Sequence, residues 1–314
     1  MAWRPARSVL LALFALSLTG MAAGCEDGER VPARAPKAPP CPPPPEPAYQ
    51  AAVVGTIGKL HLVESRYPLS RLGDVLAAFK PDLLLVAARV DPFREGHLED
   101  ASFEMTYVTA LAKQHGIAVE PIDWFREQDL VAAPPPPEPW DAAEIAKREA
   151  AVLTEPRLYT FDQANGAELE QRILRATGAE ARHRSGNPLV TRRHAWMQHL
   201  AASAVERHGR PRRVLAYVDV LDRPTVDLIL HGVGYTMKEP VAIAATSKDE
   251  MISDIPADVL NEWKTQLERA RANAESAKTP AEKTFWMDRA HALRIVVDKR
   301  AQCCVTQSTV NADR

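Results

Sequence analysis

The pattern that most constrains the fold is an apolar run, a helical repeat and a second apolar run in close succession. Residues 51–54 (AAVV) are apolar and β-prone, and Gly55 and Gly58 after them permit a tight turn. Residues 67–79 place leucine and phenylalanine at helical spacing, and residues 83–87 (LLLVA) form the second apolar run. Two strands joined through a helix run parallel, so the pattern predicts a βαβ unit with helices covering the sheet.

The rest of the chain repeats this alternation and then becomes helical. Apolar spacing and capping signals predict further elements, namely strands at 117–122, at 213–220 and after 234, and helices at 101–115, 187–208 and 223–230. Residues 246–300 predict a helical hairpin, with a tail over 301–314. The predicted fold class is α/β, a mostly parallel sheet flanked by helices over residues 50–245, with a C-terminal α-hairpin packed on it.

The helix predicted at 187–208 carries both apolar and charged positions. Leu189, Trp196 and Leu200 form its expected buried stripe. Arg192 and Arg193 are interpreted as solvated surface arginines, and anion binding at a helix start is the alternative.

The first 24 residues have the composition of an export signal. Arg4 and Arg7 precede an apolar stretch over residues 8–18, and small residues stand before Cys25. The sequence AAGC resembles a bacterial lipobox, which implies an exported lipoprotein of the cell envelope, anchored to a bacterial membrane through lipidated Cys25. An ordinary secretory signal or an uncleaved anchor is the alternative. Two or three acyl chains such as palmitate, at ~0.8 kcal/mol per buried methylene, suffice for stable anchoring.

A proline-dense segment follows the export signal. Residues 25–49 contain APKAPPCPPPPEP, which in a polyproline II conformation forms a tether of up to roughly 70 Å. No later apolar run approaches the ~20 residues that a membrane-spanning helix needs. A formal net charge of −2 gives no reason to expect nucleic acid binding. The expected partners are the membrane, through the lipid anchor, and an envelope ligand or protein.

The chain contains four cysteines. If Cys25 is lipidated, Cys41 and the vicinal pair Cys303 and Cys304 remain. In an oxidising exported compartment a disulfide from Cys41 to one of that pair is plausible, and the sequence leaves the connectivity open. The spacing offers no zinc-knuckle pattern.

Several degenerate motifs together resemble the TraB/Tiki and ChaN-like superfamily over roughly residues 51–240. They are GTI with a nearby histidine after the first strand, LLLV in the second strand, IDW at the end of the third, a helix with RRH and Met197, and RVLAYVDVLDRP. The resemblance implies one pocket at the strand ends, lined by histidine and glutamate residues that are proposed metal ligands or catalytic residues in the superfamily.

At three positions the chain lacks the ligands that the resemblance implies. Gly58 stands in the place of a histidine and Ala87 in the place of a glutamate. In the segment after the fourth strand, Asp219 and Asp222 occupy the glycine and histidine positions. A hydrolytic metal site needs about three His or carboxylate ligands around one ion, so these changes imply that the usual metal chemistry is lost.

The polar residues that remain near the predicted strand ends are the candidate site residues: His61, Glu104, Asp123, His194 and Asp222. Four of them also have a structural interpretation. His61 is favoured as a loop or capping histidine, Asp123 as a turn cap and Asp222 as a helix cap. Glu104 is either a pocket acid or a carboxylate that stabilises a helix N-terminus.

The leading hypothesis is a membrane-anchored lipoprotein whose domain binds a ligand or partner, requires no cofactor and is not an enzyme. The alternative is a metal-dependent hydrolase with rearranged ligands: His61, Glu104, Asp123 and Asp222. A third hypothesis is a haem binder with His61 or His97 as the axial ligand. No Gly-x-Ser-x-Gly motif, phosphate loop or dinucleotide fingerprint is present in the sequence.

Overall fold

The computed structural model describes residues 49–125, 159–183, 188–246 and 255–312, with side chains described outside 178–191 and 299–312. The predicted export signal, Cys25, and the tether with Cys41 lie outside the described residues, as do the side chains of Cys303 and Cys304. None of the helices in the described ranges has the length and apolar character of a membrane span.

Within the described ranges, five strands form one parallel sheet in the order β3-β2-β4-β1-β5. The strands are β1 Gln50–Thr56, β2 Leu83–Arg89, β3 Ala118–Asp123, β4 Arg213–Asp219 and β5 Thr236–Met237. β1 and β4 pair along their whole length, so Thr56 lies beside Asp219 at their carboxyl ends. The predicted α/β fold class is confirmed.

Ten helices and one 3₁₀ turn connect and cover the strands in the described ranges. The turn is Gly58–Leu62, and the helices are α1 Ser70–Phe79, α2 Val90–Arg94, α3 Phe103–Gln114, α4 Phe161–Asn165, α5 Ala167–His183, α6 Pro188–Arg207, α7 Arg223–Gly232, α8 Pro240–Ala245, α9 Ala257–Ser276 and α10 Pro280–Ala312. Helices α9 and α10 form the C-terminal hairpin. Because α10 continues to Ala312, most of the predicted tail at 301–314 is helical instead.

The sheet buries both faces, as a parallel sheet with crossover helices requires. Leu84, Val86 and Tyr217 face one core, which α1, α3 and the C-terminal hairpin cover. Leu85 and Val218 face the other core, beneath α6 and α7. Alternate residues of each strand point to opposite faces, so the continuous apolar runs in the sequence supply both cores.

A buried tryptophan joins the C-terminal hairpin to the sheet domain. Trp263 of α9 is fully buried, and its Nε1–H donates to the carbonyl of Phe103 at 2.9 Å. The two aromatic rings meet edge to face with centroids 5.6 Å apart. This contact ties the hairpin to the first turn of α3.

Helix α6 packs on the sheet through other residues than the sequence predicts. Met197 and Ala201 are fully buried, whereas Trp196 is 41% exposed and stacks on Trp124 with centroids 5.5 Å apart. The prediction for Trp196 was therefore wrong, and Leu200 is only partly buried. Small alanines let α6 approach the sheet closely, so the core-facing stripe contains fewer large residues than the pattern assumed.

Candidate functional site

The carboxyl ends of the parallel strands meet at one edge of the sheet, where open α/β sheets bind ligands. β1 leads there into Gly58, whose φ of +56° is a conformation that favours glycine. β4 leads through Asp219 and Asp222 into α7. The first turn of α3 and the first turns of α10 border the same edge.

A cavity of about 430 Å³ lies at this edge, a volume typical of small-molecule sites. Most of its wall is apolar, with side chains from the β1 turn, α3, the segment after β4 and α10: Ile57, Leu60, Phe103, Val220, Leu221, Phe285 and Leu293. The charged residues that line it are Lys59, Asp219, Asp288 and Arg289. The cavity therefore combines an apolar body with charges of both signs.

Asp219 is the carboxylate at the end of β4 on the cavity wall. Its Oδ1 accepts a hydrogen bond from the backbone N–H of Leu221 at 2.9 Å. Asp219 is exposed to solvent on the cavity wall. Partial desolvation by the neighbouring protein atoms, together with the negative charges of Asp222 and Glu104, raises the pKa of Asp219 to about 7. Asp219 therefore changes charge near neutral pH.

Glu104 lies in the first turn of α3, directly after the cavity-lining Phe103. It is 1% exposed, and neither carboxylate oxygen has a hydrogen-bond partner among the described residues. Its charge acts on Asp219 and also on Arg289. The positive end of α3 favours a carboxylate at this position, although it does not replace a hydrogen-bond partner.

Arg289 reaches the cavity from α10. Its guanidinium lies over the ring of Phe285, 5.2 Å from the centroid, and no described carboxylate lies within ion-pair distance of it. Burial lowers the pKa of Arg289, while the charges of Glu104, Asp100, Asp123 and Asp219, in decreasing order, act in the opposite direction. Arg289 is thus attracted by carboxylates that it does not contact.

A second arginine at the same edge is fully paired. Arg193 of α6 binds Asp123 through Nε at 2.7 Å and Nη2 at 2.8 Å, a bidentate pair. It also binds Asp222 through Nη1 at 2.9 Å and Nη2 at 2.8 Å. The Nε2 of His194 lies 3.1 Å from Asp222 Oδ1. We call these four residues the Arg193 cluster.

The Arg193 cluster assigns three predicted residues to structural roles. Although burial favours the neutral acid, Arg193 and His194 lower the pKa of Asp222 below its ordinary value. Asp222 stands at the N-cap position of α7, but its side chain makes no capping hydrogen bond. Asp123 accepts from the Trp124 N–H at 2.7 Å, as a turn cap, and from Arg193 as well. Arg193 is therefore not the solvated surface arginine that the sequence predicts.

His61 is buried in the 3₁₀ turn after β1, and both of its ring nitrogens are engaged. The Ile57 N–H lies 3.3 Å from Nε2, and Nδ1 lies 2.9 Å from the Tyr67 carbonyl, so Nδ1 carries the proton. Burial lowers the pKa of His61, against the charge of Glu104 and the Tyr67 hydrogen bond. This is the arrangement of a neutral histidine that holds the β1 turn.

The candidate residues of the sequence analysis separate into two groups. His61 and Glu104 are buried directly after the cavity-lining residues Leu60 and Phe103, while Asp123, His194 and Asp222 belong to the Arg193 cluster. In the described ranges, no three His, Cys, Asp or Glu residues are arranged to hold a metal ion. The four ligands of the hydrolase alternative therefore do not form one coordination group. The haem candidate His97 lies elsewhere, with Nδ1 3.7 Å from Glu99.

Arg289 is not among the site residues predicted from the sequence, although the sequence contains a signal for it. Arg289 lies three residues after Trp286 and four before Leu293, which places it on the buried face of α10. A charged residue on an apolar helical stripe needs a partner or a functional explanation.

A comparison of this chain with protein-family models, with curated proteins and with solved structures finds no match.

Proposed function

We propose that this protein is an exported lipoprotein whose α/β domain, of TraB/ChaN-like architecture, binds a small ligand in the cavity at the carboxyl edge of the sheet. The observation that carries the proposal is a contrast between charged residues at this edge of the sheet. Arg193 satisfies two carboxylates, whereas Asp219 and Arg289 line an apolar cavity without an ion pair among the described residues.

The hydrogen bonds of the candidate catalytic residues support a binding function over a catalytic one. Both ring nitrogens of His61 are engaged by the backbone, and Asp123 and Asp222 are engaged by Arg193. Groups that are held by intramolecular partners contribute to structure. Asp219 and Arg289 remain available to a ligand.

The anchor is the second part of the proposal and rests on the sequence AAGC that ends at Cys25. Lipidation of Cys25 would attach the domain to a membrane through the proline-rich segment. The test is the partition of the full-length chain between detergent and aqueous phases. Cys25→Ser is expected to abolish acylation and phase partition, whereas Cys41→Ser retains both. Acylation that persists in Cys25→Ser would refute the anchor.

The binding function is tested with the full-length protein in mild detergent, by thermal unfolding followed through tryptophan fluorescence. The probes are fatty acids, aromatic acids, simple sugars, α-amino acids and dipeptides, each as a separate class. A true ligand at 100 times its Kd adds about 2.7 kcal/mol to the free energy of unfolding. At least one class is therefore expected to raise Tm.

A pair of variants assigns that effect to the cavity. Ala292 lines the cavity, and Ala292→Trp fills it, so the ligand effect should disappear. His291 is exposed on the same helix, and His291→Trp should retain the effect. The proposal fails if no class raises Tm in the folded wild type, or if both variants respond alike.

A further inference from the structure

We propose that the ligand of this cavity is a zwitterion, an α-amino acid with an apolar side chain, whose ammonium group pairs with Asp219 and whose carboxylate pairs with Arg289. The inference rests on the proposed binding function and names the class of ligand. It starts from the placement of three charges and of the apolar wall between them.

The first step is the separation of opposite charges in one cavity. Asp219 comes from the end of β4 and Arg289 from α10, and both line the cavity. The charge of Asp219 acts on Arg289, yet the two residues form no ion pair. Arg289 is half-buried, and a charge that has lost part of its hydration gains from an opposite charge. A molecule with one group of each sign satisfies both without moving either element.

The second step is the excess of negative charge near Asp219. Glu104 is buried behind the wall at Phe103 and lacks a hydrogen-bond partner among the described residues. Its field adds to that of Asp219 and favours a cationic group on the cavity side. A purely anionic ligand would pair with Arg289 or Lys59 but would leave Asp219 unpaired and meet repulsion from the two acids. A neutral ligand would leave every charge unpaired.

The third step is the apolar wall. Phe285 and Leu293 from α10 face Ile57, Leu60 and Val220 from the strand ends, in a cavity of about 430 Å³. Polar groups that fix orientation within apolar walls are typical of small-molecule sites. An aliphatic or aromatic side chain gains free energy by leaving water for this wall.

The protonation of Asp219 gives the site a pH dependence. Desolvation is the main cause that raises the pKa of Asp219 to about 7; the charges of Asp222 and Glu104 add to it, and the Leu221 N–H and Arg193 oppose it. Arg289, Lys59 and Asp288 also line the cavity. Because only ionised Asp219 pairs with an ammonium group, affinity for the zwitterion should rise as pH increases through 7.

Calorimetric titration of the full-length protein tests the inference with three probes of nearly equal size. Leucine has both charges, N-acetyl-leucine lacks the cation, and leucinamide lacks the anion. Leucine is expected to bind at least tenfold more tightly than either blocked form at pH 8. Its own affinity should fall between pH 8 and pH 6. Equal affinity for all three probes would overturn the inference.

Variants that remove one charge test which residue pairs with the ammonium group of the ligand and which pairs with its carboxylate. Asp219→Asn should abolish the preference for leucine over N-acetyl-leucine, and Arg289→Gln should abolish the preference over leucinamide. Arg294 is exposed on α10 and outside the cavity, so Arg294→Gln should keep both preferences. Swapped or unchanged preferences would contradict the assignment.

The two proposals fail in different ways. If another class of probe raises Tm through the cavity and leucine does not, the amino-acid inference is wrong and the binding function stands. If no class does so, both are wrong.

Discussion

Two arginines lie at the same edge of the sheet, and their surroundings differ. Arg193 makes four contacts of 2.7–2.9 Å with Asp123 and Asp222, whose side chains are 8% and 7% exposed. Arg289 lies over the ring of Phe285 and makes no ion pair with any residue that the structure describes, and the carboxylates act on it from a distance. Arg193 is therefore part of a structural ion-pair cluster, whereas Arg289 lines a cavity that has room for a small molecule.

The difference shows which carboxylates at the strand ends are structural and which are available to a ligand. In the sequence, Asp123, Asp219 and Asp222 have the same kind of position, because all three stand at or just after the end of an apolar strand. Arg193 lowers the pKa of Asp222, whereas Asp219 lacks such a partner and its pKa is raised to about 7. A carboxylate is available to a ligand only where no neighbouring cation has already engaged it.

The largest expected effect comes from breaking the Arg193 cluster. Arg193→Ala leaves Asp123 and Asp222 buried without their cation, and removal of one partner from a buried pair costs about 3–5 kcal/mol. Urea unfolding at pH 7 measures this loss. Arg192 is exposed on the preceding position, and Arg192→Ala should change the free energy of unfolding by no more than about 0.5 kcal/mol. Equal losses in the two variants would show that the cluster contributes nothing.

A smaller effect is expected from the titration of His61. Burial lowers its pKa below the ordinary value of 6.5, so the unfolded chain binds the proton more readily. Its contribution to stability is present above pH 6.5 and is lost as pH falls, at no more than about 1.4 kcal/mol per pH unit. His61→Gln should flatten this part of the stability profile.

The control for this prediction is His199, which is exposed on α6. His199→Gln should leave the slope of the free energy of unfolding between pH 6.5 and 5 unchanged. A slope that survives in His61→Gln would mean that His61 does not remain neutral in the folded protein.

The electrostatic influence of Glu104 on the cavity predicts a change in pKa. Glu104→Gln removes a negative charge that raises the pKa of Asp219, so that pKa should fall below about 7. Carbon NMR of isotope-labelled aspartate measures it, with Asp219→Asn to assign the resonance. Glu95 is exposed and does not line this cavity, so Glu95→Gln should leave the pKa of Asp219 unchanged. An unchanged pKa in Glu104→Gln would remove Glu104 from the site.

The smallest effect on stability is expected for Arg289. Arg289→Gln breaks no ion pair with a described residue, and protonation of Asp219 relieves part of the excess negative charge. The free energy of unfolding should therefore change by less than about 1 kcal/mol at pH 7, the range of an exposed charge interaction. Urea unfolding beside Arg193→Gln provides the comparison. A loss as large as that of Arg193→Gln would show that Arg289 is structural.

Strands, helices and the C-terminal hairpin are predictable because their signals are local. A strand buried on both faces needs a continuous apolar run, as in LLLV at residues 83–86. The packing of α6 was less predictable, because the structure buries Met197 and Ala201 and leaves Trp196 exposed. Which face of a helix packs depends on how closely it approaches the sheet, and its own sequence does not specify that distance.

The candidate site was predictable only in part. His61 and Glu104 were identified from their positions near the strand ends, and each is buried directly after a residue that lines the cavity, Leu60 and Phe103. Arg289 was not identified, because α10 lies more than 60 residues after β4 in the chain and reaches the cavity only through the folding of the hairpin.

The sequence by itself determined that the strands are parallel and that their polar carboxyl ends share one edge. Both follow from apolar runs that alternate with helices, a pattern that acts over a few tens of residues. Only the tertiary structure decided which carboxylates meet an arginine. Arg193 lies 70 residues from Asp123 and 29 from Asp222. Ion pairing depends on distances of a few ångströms between elements that are far apart in the sequence. An aspartate at a strand end is therefore structural where it meets Arg193 and available to a ligand where it lines the cavity.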